Sequence, residues 1–313
     1  MSNNKLISII VPAYNEQDNI TRCYEAINNT LTGANINYEL IFVDDGSKDL
    51  TYSKIVEASV SSQNVRGLSF SRNFGKEAAI FAGLEAAKGD AAIVMDCDLQ
   101  HPPTLIPEMI GKWQEGYEVV EAVKSSRGHE GLFHKLSAKL FYSIISKATK
   151  IDMSNASDYK LIDRKAIDAL LLMPERAPFF RALSSWIGFK STTIPFEVRV
   201  REVGTSKWST LSLTKYAIRN ITSFSGSPLQ LVTVMGWILF IFGICVAIEA
   251  LYQYFTGTAA TGFTTVILLQ LITSGGIMIS LGIIGLYISK IYDEIKSRPK
   301  YIISKTCPEK NNE

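Results

Sequence analysis

From Asn220 to Ser289 the chain runs for 70 residues with a single charged side chain, Glu249. A water-soluble fold carries a charge at about every fourth residue. The other 243 residues keep to that density, holding 61 of the 62 charged side chains. The mean hydropathy of +0.12 is therefore an average over two unlike materials. Within the uncharged stretch, Leu229 to Ile248 is 20 residues without a charge, and Phe263 to Ser289 is a longer run rich in Ile, Leu and Gly. Each is long enough to cross a hydrocarbon layer about 30 Å thick. Two spanning helices are expected, over 229–252 and 263–289. The alternative is a buried hairpin of a soluble protein, but no other part of the chain is large enough to cover it. This pattern excludes a wholly soluble protein, a disordered one and a many-spanning transporter.

Charge placement orients the pair. The connector Gln253 to Gly262 has no Lys or Arg, whereas Lys207, Lys215 and Arg219 precede the first apolar run and Lys290, Lys296, Arg298 and Lys300 follow the second. Cytoplasmic flanks hold the excess of Lys and Arg, so both termini are expected in the cytoplasm of a cell whose inner membrane holds the protein. The expected layout is a soluble domain over 1–210, an amphipathic juxtamembrane segment over 211–226, the two spans, and a basic tail over 290–313. Glu249 reads as an interface residue near the outer end of the first span. Met1 to Leu6 has no basic start followed by a long apolar run, so no secretory leader is expected. The formal net charge of +2 is too small to argue for nucleic acid. Cys23, Cys97, Cys245 and Cys307 are scattered, with no CxxC and none near a histidine, which suggests neither disulfides nor zinc.

The first 120 residues alternate strand-length apolar runs (Leu6–Val11, Tyr38–Val43, Val65–Phe70, Ala91–Met95) with helical patterns such as Ile20, Tyr24, Ile27, Leu31 and the alanine-rich Lys76–Ala87. The order βαβαβαβ implies an α/β fold with a parallel sheet, in which ligands collect at the carboxyl ends of the strands. Acidic motifs stand at those ends. Pro12-Ala13-Tyr14-Asn15-Glu16 follows the first strand where a GxGxxG turn would mark a dinucleotide site. Asp44-Asp45-Gly46-Ser47 follows the second, with Asp49 as a possible helix cap. Asp96-Cys97-Asp98-Leu99-Gln100 follows the fourth. Two carboxylates one residue apart converge only if the chain turns there, and their repulsion calls for a cation. Mg²⁺ or Mn²⁺, which takes one or two carboxylates plus substrate phosphates, is the simplest choice.

Taken together, PAYNE, VDDGS, SRNFGKEAA, GD before a strand and MDCDLQHPP resemble the family 2 glycosyltransferases of GT-A fold. The stretch Ala156-Ser157-Asp158-Tyr159-Lys160-Leu161 with Asp163-Arg164-Lys165, then Trp186-Ile187-Gly188-Phe189, Arg201, Gly204-Thr205-Ser206-Lys207-Trp208 and the two-helix C-terminus, is similar to their polyprenyl-phosphate branch. The resemblance implies a GT-A catalytic domain in which Pro12, Tyr14, Glu16, Val43 and Asp45 line the base and ribose of a nucleotide sugar. It places Asp96, Cys97, Asp98 and Gln100 on the metal and diphosphate motif, with Asp98 as the direct ligand, and brings Arg201 and Lys207 over the phosphates. The chain departs from the pattern in having Cys97 for Ala, Lys124 for Arg, and Asp158-Tyr159-Lys160 for Asp-Phe-Arg.

The acceptor implied is a polyprenyl phosphate, with undecaprenyl phosphate and a UDP-linked donor as first choices, in single-sugar transfer for cell-envelope modification. A phosphomonoester is largely dianionic near neutral pH, its second pKa being about 6. Such a nucleophile needs cations more than a base, and Lys124, Arg127, Lys135 and Lys139 supply them. Asp158 is then a residue that holds the sugar or positions a basic neighbour, or else a surface carboxylate. Leu132–Lys150 reads equally as an interfacial amphipathic helix or a packed one. His101, His129 and His134 read as structural or surface residues. Membrane lipid is an expected partner and a homo-oligomer is left open. Two competing functions stay on the table: a processive polysaccharide synthase, for which the chain lacks a QxxRW motif, and a non-catalytic scaffold or flippase component, against which the acidic motifs argue.

Overall fold

The structure is a computed structural model that describes residues 5–124, 157–175, 179–196, 227–257 and 262–308. Among them, β1 (Ile7–Ala13) and β2 (Tyr38–Asp44) are buried at every position. This is what near-continuous apolar runs require, since both faces of the sheet are covered. Helix α1 (Gln17–Gly33) buries Ile20, Cys23, Ile27 and Leu31, a single stripe at helical spacing. Then follow α2 (Thr51–Ser61), β3 (Val65–Phe70), α3 (Lys76–Ala86), β4 (Ala91–Val94), a 3₁₀ turn (Pro103–Leu105) and α4 (Ile106–Gln114). In α3 every residue from Ala78 to Leu84 is buried, so its small side chains let a helix sit close to the sheet on all sides. The domain continues with β5 (Val119–Lys124), β6 (Lys160–Asp163), α5 (Arg164–Leu171), α6 (Phe180–Trp186) and β7 (Ser191–Phe196).

With β8 (Ile303–Cys307) added, the sheet of the described residues has eight strands in the order β7-β5-β6-β4-β1-β2-β3-β8. β1 is parallel to β2 and β4, β2 to β3, and β5 to β7. The strands β1 to β4 of the first 120 residues pair in parallel as expected, and the antiparallel pairings come from later strands. β6 runs antiparallel to both β4 and β5, and β8 runs antiparallel to β3. The chain progresses from β1 outward to β3, then returns to the other side of β1 as β4. This reversal opens a crevice at the carboxyl ends of β1 and β4, where open α/β sheets hold their ligands.

β8 also corrects the reading of 290–313 as a tail. Arg298 to Pro308 belong to the same compact unit as the N-terminal domain. Gly67, Leu68 and Ser69 pair with Cys307, Thr306 and Lys305, Ser71 N–H donates to the Ile302 carbonyl, and the Tyr301 ring stacks on Phe70 at 5.1 Å. β8 covers what would otherwise be the open edge of β3.

A second unit contains α7 (Ser227–Phe255) and α8 (Phe263–Ile295). Their apolar stretches are Val232–Gln253, 22 residues with mean hydropathy 2.4 and none buried, and Leu269–Ile295, 27 residues with mean hydropathy 2.0 and 6% buried. Trp237, Ile241, Ile248, Ile277 and Leu281 are all exposed. Among the described residues the two helices are left uncovered, unlike the core of a soluble protein. The segments 211–226 and Leu132–Lys150 lie outside the described residues.

Candidate active site

The loops leaving β1 and β2 are laced together by side chains that the turn sequences supply. Asn15 N–H donates to Ser47 Oγ (2.9 Å) and Lys48 N–H to Asn15 Oδ1 (2.9 Å). Glu16 N–H donates to Thr51 Oγ1 (2.9 Å) and Leu50 N–H to Gln17 Oε1 (3.0 Å). Asn15 has φ 54°, a left-handed conformation that Asn tolerates. Asp49 accepts from Thr51 N–H at 3.0 Å, but it stands one residue before the N-cap of α2, which is Leu50. Gly46 has φ +67°, and a Cβ there would lie 2.4 Å from the Arg72 carbonyl carbon. Only glycine lets β2 turn this close to the β3–α3 loop.

The two aspartates of the VDDGS motif do different work. Asp44 builds the turn, accepting from Ser47 N–H (3.0 Å) and Ser69 Oγ–H (2.7 Å). Asp45 reaches across to the next loop and accepts from Phe74 N–H (2.6 Å) and Gly75 N–H (2.9 Å). Burial raises its pKa, and these N–H donors offset only part of that rise. Gly75, at φ +101°, then starts α3 and delivers Lys76 into the crevice.

The loop after β4 turns at Leu99, φ 57°, and Gln100 N–H donates to Asp98 Oδ1 at 3.1 Å. Asp96 N–H donates to Nδ1 of His101 at 3.1 Å. Burial lowers the pKa of His101, and its ring stacks on Tyr159 at 4.9 Å, so it is the structural residue expected. The Asp96 carboxylate sits 2.5 Å from Lys76 Nζ, and the same ammonium donates to Asp158 Oδ2 at 2.7 Å. Arg181 grips Asp158 from the other side with two bonds, Nε to Oδ1 at 2.7 Å and Nη2 to Oδ2 at 2.8 Å. Burial alone would raise the Asp158 pKa, but Lys76 and Arg181 outweigh it and hold the carboxyl well below its usual range. For Asp96 burial is likewise outweighed, chiefly by Lys76. Lys76 is held above its usual value, its two carboxylates overcoming desolvation. Next to it, Glu77 is pushed up to about 7 by burial and by the charge of Asp158, although it accepts from Phe180 N–H at 2.8 Å.

The surface reading of Asp158 is thus overturned: the residue is 4% exposed and ion-paired twice. Lys76 and Arg181 did not figure among the expected site residues. A lysine in the first turn of a helix opposes the helix dipole, and that was the available signal for Lys76. Arg181 carries no local signal. Lys160, the basic residue of the Asp158-Tyr159-Lys160 stretch, is buried with Nζ 2.8 Å from Ser184 Oγ and 3.3 Å from Glu121 Oε1. Cys97, expected to line the diphosphate site, turns its thiol into the core at 3% exposure. A hydrogen bond with Cys23 and burial push that thiol's pKa well up, so only its backbone is left to face the crevice. Pro12 and Val43 are register neighbours and both buried. Tyr14 is 39% exposed. Lys124 ends β5, and its side chain lies outside the described set. Arg127, Lys135, Lys139, Arg201, Lys207, His129 and His134 are also outside the described residues.

Two carboxylates, one residue apart on a turn, form a hard oxygen donor set, and Asp96 already demands a cation, as its contact with Lys76 shows. Among the described residues no group of three or more His, Cys, Asp or Glu converges on a metal site. The set therefore suits Mg²⁺ or Mn²⁺ completed by substrate oxygens and water better than a metal held in an all-protein cage.

A parallel-rich sheet with its acidic loops gathered at the point of reversal is the architecture of a GT-A glycosyltransferase. The chain belongs to glycosyl transferase family 2, whose profile matches residues 8–171, and it is a glycosyltransferase. The uncharacterized glycosyltransferase YkcC of Bacillus subtilis (strain 168) is 42% identical over 308 residues, covering 98% of this chain and 95% of its own length. The SfII prophage-derived bactoprenol glucosyl transferase of Shigella flexneri is 38% identical over 306 residues, covering 96% and 98%. Among solved structures, glucosyl-3-phosphoglycerate synthase of Mycobacterium tuberculosis, crystallised with Mn²⁺, UDP and glucosyl-3-phosphoglycerate, aligns with TM-score 0.51 at 19% identity over 71% of this chain and 81% of that one. This last likeness is one of fold.

Proposed function

We propose that this glycosyltransferase moves a single sugar from a nucleoside diphosphate donor, UDP-linked, to a polyprenyl phosphate such as undecaprenyl phosphate at the cytoplasmic face of the membrane. The observation that carries the reading is co-linearity with a bactoprenol glucosyl transferase over 96% of this chain, apolar C-terminal helices included. A soluble-substrate enzyme has no use for two helices whose apolar surfaces are left uncovered.

Asp96 and Asp98 are the residues that would hold a divalent cation, which when bound supplies the positive charge that a departing nucleoside diphosphate needs. Asp45, fixed by the Phe74 and Gly75 N–H groups, would line the nucleotide. A phosphate dianion attacks without losing a proton, so the enzyme's task is to bring anions together. Asp158 suits that task as an anchor. With two cations holding its pKa well down it is a poor proton acceptor, and what it does is aim Lys76 and Arg181. Inversion at the anomeric carbon follows from direct attack opposite the leaving diphosphate.

Topology has independent support. β8 is hydrogen-bonded into the catalytic sheet and begins only a few residues after α8 ends. A chain that leaves and rejoins one folded sheet crosses the membrane an even number of times, which agrees with the distribution of Lys and Arg. The test is to incubate membranes containing the protein with a panel of radiolabelled nucleotide sugars and undecaprenyl phosphate. Labelled lipid from one donor is expected. No labelled lipid from any donor, or equal labelling of a polyprenol lacking its phosphate, would overturn the reading, and a growing polymer would indicate a processive synthase.

A further inference from the structure

We infer that Lys76 is the internal counter-cation of the metal motif, occupying Asp96 until a divalent cation takes that carboxylate over. The inference rests on the reading of Asp96 and Asp98 as the metal-holding pair. Three observations carry it. The ammonium is within 2.5 Å of Asp96 and 2.7 Å of Asp158, so one charge serves carboxylates from two different strand ends. Its side chain is 41% exposed whereas that of Asp158 is 5%, so the lysine is the member free to move on its long stem. Arg181 holds Asp158 with two bonds of its own. Asp158 therefore stays compensated when Lys76 shifts.

A lysine in that place makes the free enzyme a weak metal binder. A divalent cation approaching Asp96 meets the positive charge of Lys76, and it prevails once diphosphate oxygens add negative charge to the crevice. Metal and nucleotide then bind together, and Lys76, released from Asp96 but still held by Asp158, remains to face the incoming phosphates. A purely structural lysine would act in the opposite sense, since its loss would disorder Asp96 and weaken the metal.

The experiment is a Mn²⁺ titration followed by electron paramagnetic resonance on the full-length protein in detergent, without nucleotide and with UDP, comparing wild type, Lys76→Met and Asp98→Asn. Removing a unit charge a few ångströms from a divalent ion should tighten Mn²⁺ binding to Lys76→Met on the order of tenfold in the absence of nucleotide, and UDP should then improve it less than it improves wild type. Unchanged or weaker Mn²⁺ binding in Lys76→Met overturns the inference. Asp98→Asn separates the two levels: if it keeps wild-type Mn²⁺ affinity, the metal reading itself fails, and if it loses Mn²⁺ while Lys76→Met shows no gain, only the role of Lys76 fails. Should Lys76→Met not fold, Lys76→Met with Asp158→Asn, compared with Asp158→Asn alone, makes the same test with the lost charges balanced.

Discussion

Gly46→Ala tests whether the close approach of the loops after β2 and β3 is built as described. The residue adopts φ +67°, and its missing Cβ would fall 2.4 Å from the Arg72 carbonyl carbon, 2.7 Å from Asn73 N and 2.8 Å from Arg72 Cα. All three are backbone atoms, so no side chain can swing aside. Left-handed geometry costs an alanine about 1–2 kcal/mol, and forcing neighbouring backbone apart adds about 1–3 kcal/mol. A domain of this size loses roughly 2–4 °C of melting temperature per kcal/mol, which puts the variant roughly 4–20 °C below wild type. The displacement has a functional consequence as well. Moving Arg72 and Asn73 pulls the Phe74 and Gly75 N–H groups off Asp45 and shifts Lys76 at the start of α3, so UDP affinity should fall with stability. The assay is thermal unfolding and UDP titration of the full chain in detergent, with Gly33→Ala as control, because a Cβ at Gly33 meets nothing within 4 Å. A Gly46→Ala protein melting within about 2 °C of wild type would refute the packing argument.

Asp98→Asn should abolish turnover and leave the melting temperature unchanged, and activity in chelator equal to that in Mg²⁺ would contradict it. Asp158→Asn takes one carboxylate from Lys76, which keeps Asp96, and from Arg181, and both reach solvent, so the cost should be about 2 kcal/mol rather than the larger loss of a fully buried pair. It should lower the rate at every pH without creating a need for alkaline conditions, and a wild-type rate would refute the anchoring role. Because the Asp158 pKa is depressed, the stability it contributes is present above the unfolded carboxylate value and is lost only as pH falls through the lower folded value, so the pair should not add pH dependence between pH 5 and 8. Glu77 has the opposite sign: its pKa of about 7 means that stability is fully present below the unfolded value and lost as pH rises towards 7. Glu77→Gln, uncharged at every pH and able to accept from Phe180 N–H, should be about 1–3 kcal/mol more stable than wild type at pH 8 and no more stable at pH 4.5; a difference independent of pH would exclude this account. For topology, cysteines placed between Thr256 and Thr261 should label from outside intact cells and a tag after Glu313 only from inside, and an externally labelled C-terminus would break the two-span reading.

What the amino-acid order determined alone is what depends on near neighbours. Runs such as Ile7–Val11 and Tyr38–Val43 are strands because all their side chains but Ser8 and Glu39 are apolar, and Ile20, Ile27 and Leu31 share a helix face because of their spacing. The apolar lengths of α7 and α8 and the acidic turns after β1, β2 and β4 are equally local, so they could be read directly. Tertiary structure decided whatever depends on the order of strands in the sheet. β8 is a five-residue strand inside a basic stretch, too short for its periodicity to stand out, and only the open edge of β3 gives it a role. Lys76, Asp96, Asp158 and Arg181 come from four separate segments that meet because β4 lies between β1 and β6. Cys97 points into the core while Asp96, one residue earlier, is left partly exposed, because the chain is still leaving the strand there. Charge pairing over such separations leaves no periodic trace in a sequence, since its energy depends on distance in space.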